Sequence, residues 1–513
     1  MTRRAYLLLF LFGLGTTSLV AFLQPVPGTM DEDYYFAGGI RLAQGHGFSE
    51  TFLWNYLDNP QSLPHPSHGY WFPLASIIAA AGMFLTGQQT FLGARLLFIV
   101  IAALIPPVTA ALSYSFSSRR DVAIVAGLLA VFPTYQIVFL PSTENFGLFM
   151  LFGGLFFLLL PRADKKSMFA MGLVVGLMNL SRSDGILLLA VGLLGIFLQH
   201  RQDKRLFTHY ALLFIFAYAL IMAPWIIRNL TVFGAPLTPG GSRVPWMTSY
   251  GDTFAYPPDR ITLQNWLAAG WQSALDARWD AFKLNFANTI AVQGGILLLP
   301  FILIGGLRMW GDLRVRLATF VWLGLFFIMT VVIPFAGSRG TFLHAGAALQ
   351  PLWWCVAPVG LDFLVTKLRQ RGLFTPQAFL FFRSMLVIVM VMLTGYLVYT
   401  RVIEGDWARF DRSYRMAEQI LLQNGAQPQD GVVAANAPGY FVVSGRSAVT
   451  VPAENPSILQ TLSQRFNARY LVLEKDYLPD TFKPIYESYQ QQPGLKYLGG
   501  FDGVRVFAIL PEN

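Results

Sequence analysis

Cysteine is all but missing. Among 513 residues only Cys355 occurs, inside an apolar run, so intrachain disulfides, cysteine-based zinc sites and iron–sulfur clusters are excluded. Charge is scarce too, at 13% of residues. No P-loop is present, nor a GxGxxG following a strand, which removes the usual nucleotide-binding classes, and no internal repeat is visible. Apolar residues, at 54%, and a mean hydropathy of +0.49 dominate instead. Repeated apolar runs near the length of a bilayer crossing indicate an α-helical polytopic membrane protein. The net charge of +9 does not point to nucleic acid, because the basic residues fall in short clusters between apolar runs, the pattern that sets membrane orientation.

About eleven runs are long enough to be read as spans: roughly 5–23, 92–116, 121–140, 144–160, 168–181, 185–199, 207–227, 291–308, 316–336, 344–365 and 378–399. The fifth and sixth are short. The first follows Arg3-Arg4 and lacks a small-residue cleavage site, so an uncleaved span is expected rather than a signal peptide. Arg119-Arg120, Arg162/Lys165/Lys166, Arg201/Lys204/Arg205, Arg308/Arg314/Arg316 and Lys367/Arg369/Arg371 all fall between spans. With the N-terminus in the cytoplasm, each lands on the cytoplasmic side. That alternation requires Trp71 to Leu85, a marginal apolar run, to lie in the outer interface. The first outer loop (24–93) then holds an acidic cluster and two interfacial helices, and residues 228–290 form a second long outer loop. A membrane module over 1–400 is expected, followed by a small extracytoplasmic α/β domain over 401–513. In that domain β-like runs at 431–435, 440–444, 448–451, 469–473 and 504–510 alternate with helical stretches at 413–423 and 456–466.

Chemistry-bearing residues gather at the outer ends of the spans. Asp31-Glu32-Asp33-Tyr34-Tyr35 follows the first run, and carboxylates so close to a membrane are costly unless they face water or a partner. The alternative is a solvated loop start with interfacial tyrosines. Glu144 lies in the turn Pro141-Ser142-Thr143-Glu144-Asn145, where a helix N-cap neighbourhood is its plain reading. Asn179 to Gly185 carries Arg182 and Asp184, which are placed to pair with one another. Arg228 ends a span, where a snorkelling anchor is common. Gly337 to His344 is the last outer turn and contains Arg339. His65 and His68, with Asp31 or Glu144, are candidate ligands for a divalent metal; three apart in a proline-containing loop, such histidines are more often interfacial polar residues.

Taken in order, these residues carry a resemblance. Asp31-Glu32-x-x-Tyr35, His65-Pro66-x-x-Gly69-Tyr70-x-x-Pro73-Leu74, Glu144, Ser181-Arg182-x-Asp184-Gly185 and Pro224-Trp225-x-x-Arg228-Asn229-x-x-x-Phe233-Gly234 resemble the integral-membrane glycosyltransferases of the GT-C fold. Relatives include the dolichyl-phosphate-mannose protein mannosyltransferases and the lipid A aminoarabinose transferases. The resemblance covers most of residues 1–240. It implies inverting transfer of a sugar from a polyprenyl-phosphate donor to a lipid, glycan or protein acceptor, on the outer face of a bacterial inner membrane. It further implies that the first-loop acid, Asp31 with Asp33 as its rival, is the general base or the acid that orients the acceptor. A positioned carboxylate takes the acceptor hydroxyl's proton as the new bond forms. Glu144 is a further catalytic candidate, and Arg182, Arg228, Arg339 and His344 are candidates to receive the donor phosphate. The chain departs from aminoarabinose-type members, which carry an acidic-Lys-Pro-Pro segment where His65-Pro66-Ser67-His68 stands here. A transporter or flippase for lipid-linked glycans is the alternative from another class; inverted repeats and broken helices meeting at the midplane are its usual marks, whereas this chain concentrates its charges at the outer face, which argues for chemistry there.

Overall fold

The computed structural model describes residues 1–490 and 492–511. The chain forms two compact units. One comprises Met1–Leu23, Arg95–Arg228 and Arg278–Gly405; the other comprises Gln24–Ala94, Asn229–Ala277 and Asp406–Asn513.

The first unit is helical. Helix α1 (Arg3–Leu23) has 21 residues, and at 1.5 Å per residue it matches the thickness of a bilayer core of about 30 Å. Among the described residues six helices are long and apolar enough to cross a membrane, or seven if the bent pair Pro334–Ala347 and Gln350–Gln370 is one span. Every expected span nevertheless contains helix. The remainder are short, such as Phe146–Leu159 and Leu299–Arg308, or broken. The run expected at 121–140 ends as α-helix at Val131, and a 3-10 turn, Thr134–Val138, follows Pro133, which cannot donate a helical hydrogen bond. Leu299–Arg308 and Gln350–Gln370 approach backbone to backbone. A Cβ on Gly305 would sit 2.0 Å from the Val356 carbonyl oxygen, so only glycine fits there. An ion network, buried at Asp362 and Arg383 and exposed at Arg119 and Asp121, ties three helices of this unit together. Asp362 accepts from Arg119 Nη1 (2.8 Å) and Arg383 Nε (2.7 Å), and Arg383 also pairs with Asp121. Pairing of this kind is what makes a charge tolerable on an apolar helix.

The second unit is built on a sheet drawn from distant parts of the chain. Two short strands, β1 (Ser49–Glu50) and β3 (His65–Pro66), pair antiparallel. Between them in sequence, β2 (Phe52–Leu53) joins a six-stranded sheet with β4 (Gly431–Ala434), β5 (Ala448–Val449), β6 (Ala468–Glu474), β7 (Leu495–Phe501) and β8 (Val504–Ile509), in the order β2-β5-β4-β6-β8-β7. The β2-β5-β4-β6 half is parallel and the β6-β8-β7 half antiparallel. All four residues of β4 are buried, as a parallel strand covered on both faces should be. One face packs on Tyr414, Leu421 and Tyr440, the other on Leu459, Leu462, Phe466 and Tyr256.

Two expectations need correcting. Residues 440–444, read as a strand for their Val442-Val443 and aromatics, lie in the helix Ala437–Ser444. Its signals flank the run: the Asn436 side chain caps the start by accepting from Gly439 N, Pro438 occupies the first turn, and left-handed Gly445 ends it. Strand β7 carries no strand signal in the sequence, since Leu495–Phe501 contains two adjacent glycines.

Candidate functional site

The acidic cluster opens a helix rather than a loop. Helix α2 (Met30–Ala43) is N-capped by Thr29, whose hydroxyl accepts from Glu32 N, and all three acids lie in its first turn, where the helix dipole favours negative charge. Their surroundings differ. Glu32 is buried and its Oε2 accepts from Gly28 N at 2.7 Å. Asp33 is buried and its Oδ2 accepts from Asn436 Nδ2 at 2.7 Å. Burial pushes the Asp33 carboxyl up to about 8; the Asn436 bond lowers it and the charge of Asp411 raises it further. A group that already holds its proton near neutral pH cannot take another. Asp31 alone of the three is half-buried rather than buried.

In the same unit His65 and His68 are turned to separate partners. His65 Nε2 meets Asp58 Oδ2 at 2.8 Å. His68 is buried, with Nδ1 2.8 Å from Ser67 Oγ and Nε2 3.0 Å from Ser76 Oγ, while its backbone N donates to Tyr34 Oη. Their ring nitrogens thus serve the packing of the first loop, against Asp58 and two serines.

In the helical unit three of the turns named above converge. Glu144 is buried; its Oε1 accepts from Asn145 N at 2.6 Å and lies 3.0 Å from His344 Nε2. Asn145 Oδ1 accepts from Ser181 Oγ at 2.6 Å, tying this turn to the next. Beyond Ser181, Arg182 forms an ion pair with Asp184, Nη2 to Oδ2 3.0 Å. Asn179, at the start of the same turn, accepts from Tyr218 Oη at 2.7 Å, which anchors it to the helix Lys204–Phe233. Further along that helix Arg228 lies over the Trp225 ring, 4.7 Å from its centroid. Arg339 is exposed, in a kinked π turn.

The kink sets the chemistry of His344. Gly340 adopts φ +122°, a conformation open to glycine and strained for other residues. Its carbonyl lies 2.9 Å from His344 Nδ1. A carbonyl only accepts, so Nδ1 carries a proton. The ring, stacked 4.1 Å from Phe146, then presents Nε2 to Glu144. With Nδ1 so committed, Nε2 is the ring atom that faces the Glu144 carboxyl, and a lone pair there together with a carboxylate oxygen could hold a cation. An imidazole oriented through its other nitrogen by a carbonyl is the usual form of a metal-ligating histidine. The Glu144–His344 pairing joins residues 200 positions apart and had no sequence signal; His344 stood out only as the last polar residue of an outer turn.

No protein-family model and no curated protein matches the sequence. Solved structures do match. The lipid A aminoarabinose transferase ArnT of Cupriavidus metallidurans, bound to undecaprenyl phosphate, superposes with a TM-score of 0.53 at 14% identity, covering 99% of this chain and 98% of its own. The Archaeoglobus fulgidus oligosaccharyltransferase complex with Zn and sulfate gives a TM-score of 0.56 at 13% identity, over 91% of this chain and 68% of that one. The same archaeal enzyme with an inhibitory peptide and a dolichol-phosphate gives 0.53 at 13%, over 92% and 69%. Both neighbours are GT-C enzymes.

Proposed function

From the GT-C fold that this chain shares with those enzymes, we propose that it is a membrane glycosyltransferase that moves a sugar from a polyprenyl-phosphate donor to an acceptor hydroxyl or amine on the outer face of a bacterial inner membrane. The observation that carries the reading is the convergence of buried Glu144, His344 and the Arg182–Asp184 turn, linked through Asn145 and Ser181. Acid, imidazole and guanidinium so arranged suit an anionic leaving group. Likeness to a protein solved with undecaprenyl phosphate supports the choice of donor.

Asp31 takes the proton of the acceptor as its nucleophile attacks the anomeric carbon. The bond from that carbon to the phosphate oxygen breaks on the opposite face, so the configuration inverts and polyprenyl phosphate leaves with the electron pair. Arg182, Arg228 and Arg339 are assigned to the phosphate, where a planar guanidinium fork matches two oxygens and stabilises charge as it develops. Glu144 and His344 would hold a divalent ion, and the donor set fits one: a carboxylate and an imidazole suit several borderline metals. Such an ion would add positive charge toward the phosphate. The archaeal neighbour solved with Zn and sulfate supports this assignment.

The test is direct. Purified protein is incubated with synthetic polyprenyl-phosphate glucose, mannose and aminoarabinose, an acceptor-containing membrane extract, and either magnesium, zinc or EDTA. Released polyprenyl phosphate is the expected product. Donor bound and moved between leaflets of a vesicle, with no release under any condition, would replace the transferase by the transporter.

A further inference from the structure

The Asn436 side chain joins the C-terminal part of the sheet unit to a first-turn acid of α2. Asn436 has both ends of its carboxamide committed. Oδ1 accepts from Gly439 N at 3.0 Å, capping its own helix, and Nδ2 donates to Asp33 Oδ2 at 2.7 Å. The first bond fixes which end of the amide faces Asp33. Behind it, Asn436 N donates to Tyr414 Oη at 3.1 Å, and Tyr414 in turn donates to Glu474 Oε1 on β6 at 2.5 Å. Tyr414 and Glu474 are buried, so Asn436 is braced from the centre of the sheet. The approach is close: a Cβ added to Gly439 would lie 2.7 Å from Asp33 Oδ2. Further contacts flank the bond. Trp407 Nε1 donates to the Val26 carbonyl at 2.9 Å, just before α2. After α2, the Phe52 ring of β2 lies tilted against Phe441 of the helix that Asn436 caps, 4.9 Å between centroids.

We propose that Asn436 is a positioning residue for the transfer reaction: through its bond to Asp33 it fixes the rotation and height of α2, and so the direction in which Asp31 is presented. The reasoning is geometric. Residues two apart on a helix point about 200° apart, so holding Asp33 against the C-terminal domain turns Asp31 away from it. Displacing a reacting group by about 1 Å costs on the order of 10²-fold in rate, and a single bond at the first turn, where a helix frays most readily, controls motion of that size. The proposal rests on the transferase reading. It also gives the C-terminal domain a task, to hold the base.

Asn436→Ser separates latch from cap, since serine caps a helix about as well as asparagine but carries no amide to reach Asp33. The expected result, in release of polyprenyl phosphate from whichever synthetic donor the wild type turns over, is a kcat lower by about 10- to 100-fold with KM for the donor within about twofold. Asp33→Ala should produce the same loss, and the double variant should lose no more than either single one, because both act through one bond. Wild-type kcat in N436S would overturn the proposal, as would losses that multiply in the double variant, or a loss that falls on KM instead. If D33A does not reach the membrane, N436S alone decides by its split between kcat and KM. A wild type inactive with every donor would sink the transferase reading; an active wild type with an insensitive N436S sinks only this inference.

Discussion

Asp31 and Asp33 have the same side chain and sit two positions apart, yet their surroundings assign them different work. Asp33 is enclosed, bonded to Asn436 and pushed up to about 8 by burial; Asp31 keeps partial exposure at the first turn of α2. A base must both reach its proton and be ionised beforehand, and Asp31 is the acid that we assign to that role. Asp31→Asn retains shape and hydrogen bonding while removing the proton acceptor. It should insert and fold like the wild type and release polyprenyl phosphate about 10² to 10⁴-fold more slowly. Transfer at the wild-type rate would remove Asp31 as the base. Spacing alone left Asp31 and Asp33 as rivals. What separates them is burial, and part of the enclosure of Asp33 is Asn436, from 403 residues away, which no local pattern contains. His65 and His68 illustrate the converse. Residue type made them candidate ligands; in the fold Asp58 meets His65 Nε2, and Ser67 and Ser76 meet the two ring nitrogens of His68.

At the level of elements, legibility followed the physics of each environment. Apolar runs could be read as helices because lipid leaves a spanning backbone no other partner for its polar groups. The short strand β2 could not, since two residues gain their pairing only from β5, almost 400 positions on. The helix Ala437–Ser444 was misread because β-branched content outweighed the capping signals beside it. That helix and its neighbours also give the domain a dependence on pH. Glu474, buried under Tyr414, is pushed up to about 7 by burial; the Tyr414 bond lowers it, the charge of Asp476 raises it and that of Arg409 lowers it. Together with Asp33, it keeps in the folded state a proton that the unfolded chain gives up near pH 4. Stability should therefore be greatest in mild acid and be lost as pH rises through about 4 to 8, the direction in which the unfolded state binds fewer protons. Thermal unfolding in detergent across that range should show a falling midpoint. Asp33→Asn and Glu474→Gln, which mimic the protonated groups, should each flatten the decline. A slope unchanged in both variants would mean that neither carboxyl holds its proton in the fold.

For the whole molecule, the second unit constrains the path of the chain through the bilayer. Its three segments, 24–94, 229–277 and 406–513, share one fold: β2 pairs with β5, and Tyr256 N donates to Glu454. Segments folded together lie on one side of the membrane, so the chain must cross an even number of times between each and the next. The helices long enough by themselves do not satisfy this. Between the first and second segments they are Phe91–Ser117, Ser183–His200 and Lys204–Phe233, an odd number. Between the second and third they are Leu313–Val332, the bent pair and the helix beginning at Ala378, again odd. Short helices must therefore cross as well. Counting Leu299–Arg308 restores parity in the second interval, and counting Arg120–Val131, Phe146–Leu159 and Lys165–Ser181 restores it in the first. With α1 that count would equal the eleven crossings expected from the apolar runs, and a cytoplasmic N-terminus would put the basic clusters on the cytoplasmic side. Reporter fusions at Leu85, Asp259 and Asp430 should accordingly all score as extracytoplasmic, and a fusion at Arg119 as cytoplasmic. The three outer fusions test the shared fold, because parity demands that they agree whatever the orientation; the Arg119 fusion tests the direction of insertion. Disagreement between Leu85 and Asp430 would break the β2–β5 pairing, and agreement with the sign reversed would place the acids of α2 in the cytoplasm and remove the outer-face reaction.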